Sequence, residues 1–318
     1  MLSESGIIHF LKTRFPEHIG DDAAVLPQPT NNQQVITQDL LVEDVHFRLR
    51  YQDAASLAHK ALHVNLSDVA AMGATPQYVL LGLSIPKPDS SYIHDFLEHF
   101  SAGCNAHHVT LIGGDTTRSP DKLFISVTAI GNIEEKNIKY RHTAKPGDVI
   151  CIAGHLGEAH LGLTALEQSE TGLDDLKKIF LKPHARVNEG VWFGKQAGVT
   201  AMMDISDGLF IDLEKLAEAS KIAATINIDL LRSTPLFRSA CQQLKLDPVI
   251  TQLTGGEDYG LLLTVQSDDY MSLATAFMTH FGYALQPIGH MNEGGNGVHV
   301  IQNGHPIHLQ LEGYSHFR

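Results

Sequence analysis

The chain has 318 residues, 43% of them hydrophobic, and its 36 acidic side chains outnumber 23 basic ones for a net charge of −13. That size suits a globular chain of two domains, each with its own core. The acidic balance excludes a nucleic-acid partner, which needs clustered Lys and Arg, and no run approaches the roughly 18 consecutive apolar residues of a membrane helix.

The N-terminus, Met1-Leu2-Ser3-Glu4-Ser5-Gly6, lacks the basic-then-apolar layout of a signal peptide, so a cytoplasmic location is expected. Residues 6–15 read as a short amphipathic helix. Gln34-Val35-Ile36-Thr37 reads as a strand running into Asp39. Apolar residues at Leu57, Ala61, Leu62, Val64, Val69 and Met72 predict a helix over 54–72, stopped by Gly73-Ala74-Thr75-Pro76. A strand from Tyr78 to Ile85, a helix over 91–107, a strand from Val109 to Ile112 ending in Gly113-Gly114-Asp115, and a strand from Leu123 to Ile130 follow.

Arg141 to Asp148, with Lys145-Pro146-Gly147, is turn-rich and reads as a linker. Beyond it come a strand from Val149 to Ala153, helices near 158–168 and 185–197, and a short strand closed by Met202-Met203-Asp204. A helix from Leu209 to Ser220 and strands over 260–265 and 297–301 complete the pattern. Strands and helices interleave in both halves, which predicts an α/β or α+β class in two domains, 1–140 and 141–318. Cys104, Cys151 and Cys241 lie too far apart for a CxxC pair and read as small buried residues in a reducing compartment. The 19 histidines form no metal-ligand frame by spacing.

Six aspartates carry the chemistry: Asp22 in a Gly-Asp-Asp-Ala-Ala turn, Asp39 after the first strand, Asp68 in Asn65-Leu66-Ser67-Asp68, Asp115 after two glycines, and Asp204 and Asp207 in Asp-Ile-Ser-Asp-Gly. Glycines and small residues beside a carboxylate let a backbone approach a ligand closely. Asn65 and Asp68, three apart, share one helix face amid apolar neighbours. Carboxylates brought together repel and need compensation. Mg²⁺ is the hard cation that takes a few of them and completes its octahedron with water and phosphate oxygens. Bound cations would also reconcile an acidic protein with an anionic nucleotide. There is no Walker A motif and no HRD or DFG set. Gly154-His155-Leu156-Gly157 reads either as a phosphate cradle or as the glycines any strand-to-helix turn needs. Gly255-Gly256-Glu257-Asp258-Tyr259 adds a second glycine-plus-acid motif.

These motifs together resemble the thiamine-monophosphate kinase family of the aminoimidazole ribonucleotide synthetase-like superfamily. The match runs in order through GDDAAV at 20–25, TQDLLVEDVHF at 37–47, KALHVNLSDVAAMGATP at 60–76 and LIGGDTT at 111–117. It continues through AKPGD at 144–148, DISDGL at 204–209, GGEDY at 255–259 and GYSHF at 313–317. The resemblance implies direct transfer of the γ-phosphate of ATP to thiamine monophosphate, without a phosphoenzyme. It implies that Asp22, Asp39, Asp68, Asp115, Asp204 and Asp207, helped by Thr37 and Gln38, hold several Mg²⁺ ions. Gly114, Asp115, Arg141 and Ser206 are then expected at ATP, and His46, Glu257 and Tyr314 at the thiamine moiety. Arg141 can fork onto phosphate, and the Tyr314 ring can stack on a cationic heteroaromatic. The family fold implies an N-terminal ATP- and Mg-binding domain over 1–140 whose sheet pairs two chains into a homodimer, and an α/β domain over 141–318 that completes the site.

The sequence departs from the family pattern at Gln38, where Thr is usual, so a metal contact there is expected through the main-chain carbonyl. Asp44 and Gly260 also depart, at positions with no expected ligand role. Two other readings compete: a sister ATP-using enzyme of the superfamily, and a non-catalytic Mg-nucleotide-binding protein. No Cys precedes Cys104, against a selenophosphate synthetase.

Overall fold

Alternation along three strands builds the first sheet. In β3 (Thr75–Ile85) and β5 (Phe124–Glu134) every second residue is buried over most of the length, and β2 (Asn32–Val42) buries Gln33, Val35 and Leu41 on the same alternation with Thr37 and Asp39 half-buried between them. With β1 (Ala24–Leu26) and β4 (Thr110–Arg118) they form a five-stranded sheet in the order β1-β2-β5-β3-β4, in which only the β3–β4 pair is parallel. The computed structural model describes residues 6, 12–13, 21–26, 28, 31–87 and 91–309. The helix expected over 6–15 lies largely outside these residues, and Tyr314 wholly so.

One face of this sheet is covered by helices Ala54–Ala71 and Ser91–Ala106, and Val35, Leu41, Val79, Ile125 and Val127 meet Leu57, Leu62, Leu66, Phe96 and Phe100 there. Helix 54–71 starts because Asp53 caps it, its carboxylate accepting the Ser56 N–H at 2.7 Å. It ends at Gly73, whose φ of +80° a residue with a side chain adopts only under strain. The opposite face of the sheet is open, with Leu40, Tyr78 and Phe124 exposed, and every residue of the edge strand β4 is exposed as well.

The second sheet has seven strands in the order β12-β11-β8-β10-β6-β9-β7, comprising β6 (Val149–Ala153), β7 (Val199–Asp204), β8 (Ala224–Asn227), β9 (Leu261–Val265), β10 (Gln286–Met291), β11 (Val298–Gln302) and β12 (His305–Ile307). Strands β6 and β9 and the edge strand β7 are buried over nearly all their length, so they read as continuous apolar runs. Ile150, Ile152, Met203 and Leu262 pack toward helix Leu209–Ser220. Cys151, Met202, Leu261 and Leu263 pack toward Phe193 and Phe277, in helices Val187–Gly194 and Ser267–Phe281. A satellite cluster joins helices Glu158–Glu167, Asp174–Leu181 and Pro235–Leu244.

The halves meet where helix 187–194 lies on the end of helix 54–71. A Cβ on Gly190 would stand 2.2 Å from the Ala70 carbonyl oxygen, so only glycine permits this approach. Nearby, the buried Lys139 ammonium donates to the carbonyls of Gln196 and Val199, both at 2.9 Å. The segment expected as a linker is packed rather than free: Thr143 Oγ1 donates to Thr200 O at 2.6 Å. The three cysteines are free and buried, as expected. No helix among the described residues is long and apolar enough to cross a membrane.

Several elements differ from the sequence reading. Strand β3 begins at Thr75, before Pro76, and its pairing with β5 shifts register between Pro76 and Tyr78, which accommodates the missing proline N–H. Strand β4 continues through Gly113-Gly114-Asp115 to Arg118. Strands β1, β8, β10 and β12, and helices 174–181, 235–244, Pro248–Thr254 and 267–281, are not foreseen by the sequence pattern. The histidines are also less scattered than spacing suggested. His59 stacks on His63 at 3.8 Å, and His107 and His184 lie close by. The Ala185 N–H donates to His63 Nδ1 at 3.2 Å, so the His63 proton sits on Nε2, which faces His107 Nε2 at 3.1 Å. Burial, then the neighbouring rings, push the His63 pKa down to about 2.

Candidate active site

The Asn65-Leu66-Ser67-Asp68 stretch of helix 54–71 organises the site. Asn65 is fully buried; its Nδ2 donates to Ala61 O and its Oδ1 accepts the Asp39 N–H, each at 3.0 Å. Ser67 Oγ donates to Asp204 Oδ2 at 2.7 Å, which ties helix 54–71 to the end of β7. Asp68 Oδ2 accepts the Thr37 hydroxyl at 2.6 Å. One turn of helix thus fixes β2, β7 and a carboxylate between them.

Asp22, Asp68 and Asp204 converge: each offers a carboxylate oxygen, and these oxygens lie within 4.8 Å of one another. Hard oxygen donors at this spacing fit a small divalent cation such as Mg²⁺. The electrostatics point the same way. Burial pushes the Asp68 pKa well up, and Asp39, Asp204 and Asp22 push it further, against the Thr37 hydrogen bond. Burial and then Asp22 do the same to Asp204. Asp39 is pushed up to about 6, first by burial and then by Asp22 and Asp207. A divalent cation would relieve this mutual repulsion.

Arg141 meets the cluster directly. Its Nε and Nη2 fork onto the two Asp22 carboxylate oxygens at 3.0 and 2.7 Å, and its backbone N–H donates to Asp21 at 2.7 Å. Burial works against the guanidinium charge, but Asp22, Asp204 and Asp21 together hold the Arg141 pKa above its ordinary value.

The loop after β7 carries Ser206 and Asp207. Its shape is set by Asp212, a fully buried residue not singled out from the sequence. Asp212 Oδ2 accepts the backbone N–H groups of Ser206, Asp207 and Gly208 at 3.0, 3.0 and 3.2 Å. Lys215 bridges Asp207 and Asp212 at 2.6 and 2.8 Å. The Gly-Gly-Glu-Asp-Tyr segment lies on this loop: the Glu257 N–H donates to Ser206 O at 2.8 Å and the Tyr259 N–H to Ile205 O at 2.9 Å. Glu257 and Tyr259 both have positive φ, 65° and 48°, a strained state for residues with side chains. Asp258 turns the other way and accepts the N–H groups of Gly157 and Ala159 at 2.6 and 3.1 Å. The anion position at the start of helix 158–167 is therefore filled by a carboxylate of the chain itself. This decides the Gly154–Gly157 turn in favour of its structural reading.

A cavity of about 1020 Å³ opens between the two halves. Asp39, Asp68, Asp204, Ser206 and Asp207 line it toward the carboxylates, and His46, Lys60, Phe180 and Glu257 line it elsewhere. His46 accepts the Val42 N–H on Nδ1 at 3.0 Å. Gln38 turns its side chain to the open sheet face, donating to Ser126 Oγ at 3.0 Å. Asp115 is not brought to the three-carboxylate group of its own chain and does not line the cavity. It pairs with Gly82 in the exposed strand β4. Gly114 beside it is required by packing, since a Cβ there would stand 1.8 Å from the Leu81 carbonyl oxygen. Lys60 and Asp212 are charged residues among apolar helix neighbours, the same signal that marked Asp68. Ser67 gave no signal, because its partner Asp204 lies 137 residues away.

Comparison with known proteins agrees with this geometry. Residues 20–133 match the AIR synthase related protein N-terminal domain, and residues 145–302 match the corresponding C-terminal domain. A thiamine-monophosphate kinase of Buchnera aphidicola is 37% identical over 306 residues, covering 94% of this chain and 92% of that protein. One of Bacillus subtilis is 32% identical with full coverage of both chains. The solved structure of AaThiL complexed with AMPPCP and TMP superposes with a TM-score of 0.87 at 30% identity, covering 99% of this chain and 97% of that one. The chain belongs to the thiamine-monophosphate kinase family.

Proposed function

We propose that the protein transfers the γ-phosphoryl group of ATP to the phosphate of thiamine monophosphate, releasing ADP and thiamine diphosphate. The observation that carries this reading is the three-carboxylate group at a cavity walled by both halves of the chain. It is supported by relatives named for this reaction and by a neighbour that holds AMPPCP and TMP together. The acceptor phosphate is already largely dianionic at neutral pH, with a second pKa of about 6. The chain therefore needs to position and neutralise rather than to abstract a proton.

Asp22, Asp68 and Asp204 would hold Mg²⁺ ions, with Asp39, Asp207, Thr37 and the Gln38 carbonyl arranged around them. Magnesium, when bound, supplies the charge neutralisation that brings two polyphosphates together. Asp22 would exchange its Arg141 partner for an ion, leaving the Arg141 fork to a nucleotide phosphate. Ser206, on the loop held by Asp212, and Gly114 would also face the nucleotide. His46, Glu257 and Tyr314 would hold the thiamine moiety. In this division residues 1–140 form the nucleotide, metal and dimerisation domain and residues 141–318 complete the site.

The oligomer proposed is a homodimer through the open face and exposed edge of the first sheet. Leu40, Tyr78, Leu111, Ile112 and Phe124 supply an apolar surface there. Such pairing would also bury strand β4 and give Asp115 a site to reach across the interface. A cytoplasmic location accords with ATP as co-substrate and with three unoxidised, buried thiols.

The test is chromatography of thiamine species after incubation with Mg-ATP and thiamine monophosphate. Thiamine diphosphate should appear mole for mole with ADP and vanish with EDTA. ATP consumption without thiamine diphosphate would overturn the substrate, and Mg-ATP binding without any turnover would overturn the enzyme.

A further inference from the structure

Lys60 and Asp68 are the two Lys, Arg, Asp or Glu residues of helix 54–71. The Lys60 side chain is only 1% exposed, yet it is not sealed in the core, because it lines the cavity. Its ammonium contacts Glu257 Oε1 at 2.7 Å, lies 3.9 Å from the centre of the Phe180 ring and reaches the His46 carbonyl at 3.4 Å. A buried ammonium is costly unless paired, and it is kept here in a wall rather than replaced by an apolar residue. Glu257 bears a cost of its own. It follows two glycines but holds a side chain at φ 65°, so the backbone accepts strain to present a carboxylate at this point. Two unfavourable placements that meet at one contact indicate that the contact serves the cavity.

Lys60, Val64 and Asp68 all line the cavity at positions i, i+4 and i+8. Eight residues of helix rise about 12 Å. Asp68 and the Lys60–Glu257 pair therefore stand at opposite ends of one helix face. A ligand with its phosphate at Asp68 would place its far end at Lys60, Glu257, Phe180 and His46.

We propose that Lys60 is a positioning residue for the acceptor substrate: by holding one carboxylate oxygen of Glu257, it aims the other at a hydrogen-bond donor on the substrate's aromatic end. This rests on the reading of thiamine monophosphate as acceptor, whose aminopyrimidine carries such a donor. Glu257 Oε1 is committed to the ammonium, which leaves Oε2 to accept. The Phe180 ring under the ammonium fixes its position further.

The test is steady-state kinetics of the full-length protein and its K60M, K60R, E257Q and K60M/E257Q variants, each with a thermal melt. K60M keeps an apolar stem of similar length. It should raise KM for thiamine monophosphate by about tenfold or more while kcat and KM for ATP change by less than about threefold. K60R should restore part of that loss, because the charge remains. If Lys60 acts through Glu257, K60M/E257Q should be no worse than E257Q alone. An unchanged KM for thiamine monophosphate in K60M overturns the proposal. So do K60M and E257Q losses that multiply in the double variant, or a fall in kcat and melting temperature with KM untouched. A variant that does not fold is replaced in the cycle by K60R, for which the same outcomes decide. Wild-type protein that makes no thiamine diphosphate overturns the substrate reading, and Lys60 falls with it. Wild-type turnover beside an unaltered K60M overturns Lys60 alone.

Discussion

Asp68 shows at the scale of one residue what the site costs the fold. Burial and three neighbouring carboxylates disfavour its charge, and the Thr37 hydroxyl offsets this only in part. Asp68→Asn keeps the shape and an acceptor for Thr37 but removes the repulsion. In EDTA the variant should therefore unfold at higher urea concentration than wild type, while kinase activity falls by about a hundredfold or more. The pH dependence follows from the same shift. The folded chain keeps the Asp68 proton above the ordinary value of 3.8, whereas the unfolded chain releases it there. Its contribution to stability is present below that value and is lost as pH rises through the folded pKa. Urea titrations in EDTA from acid to neutral pH should give a flatter profile for Asp68→Asn than for wild type. A variant that loses stability together with activity would mean that Asp68 serves packing instead.

At the scale of elements, helix 54–71 does more than support a sheet: its buried end is where the halves lock. Gly190→Val would drive a side chain into the Ala70 carbonyl, 2.2 Å from the Cβ position alone. Overpacking of this kind costs typically about 1–3 kcal/mol, with more expected here because the obstacle is backbone. Urea unfolding should register that loss, and activity should fall even where the variant stays folded. A variant with wild-type stability and rate would show that the contact is slack. This helix was legible to within a residue, since its apolar spacing and its Gly73 stop agree, and the structure adds the Asp53 cap. Helix 267–281 was not, because it buries only Leu273 and Phe277 and so shows little apolar periodicity. Strands β8 and β12 are four and three residues long and are strands only by virtue of their partners. The site was legible in the same uneven way. Charged residues next to glycines or inside apolar runs marked Asp22, Asp68 and Asp204, and that signal extends to Lys60 and Asp212. Which carboxylates meet is decided by strand order, and nothing local to the sequence told that Asp115 would lie on an outer strand while Asp204 lay against Ser67.

For the whole molecule, the decisive feature is asymmetry of the first sheet: one face covered by two helices, the other bare, with Ile112 53% exposed on the edge strand. Exposed apolar edges invite pairing. If the proposed dimer forms through this face, lysines at both Leu111 and Ile112 should convert it to a monomer in sedimentation velocity, without loss of the far-UV spectrum. Activity should fall with the dimer, since Gly114 and Asp115 lie on the same strand. A fully active monomer would detach both residues from the chemistry.

The alignment of Lys60, Val64 and Asp68 along one helix face has an evolutionary reading. Each residue added to or removed from a helix turns everything beyond it by about 100°. A single insertion between positions 60 and 68 would swing one end of the cavity wall into the core while the other stayed in place. Substitutions can accumulate in this stretch, but its length cannot drift, and descendants of this gene should tolerate indels in surface turns long before they tolerate one here.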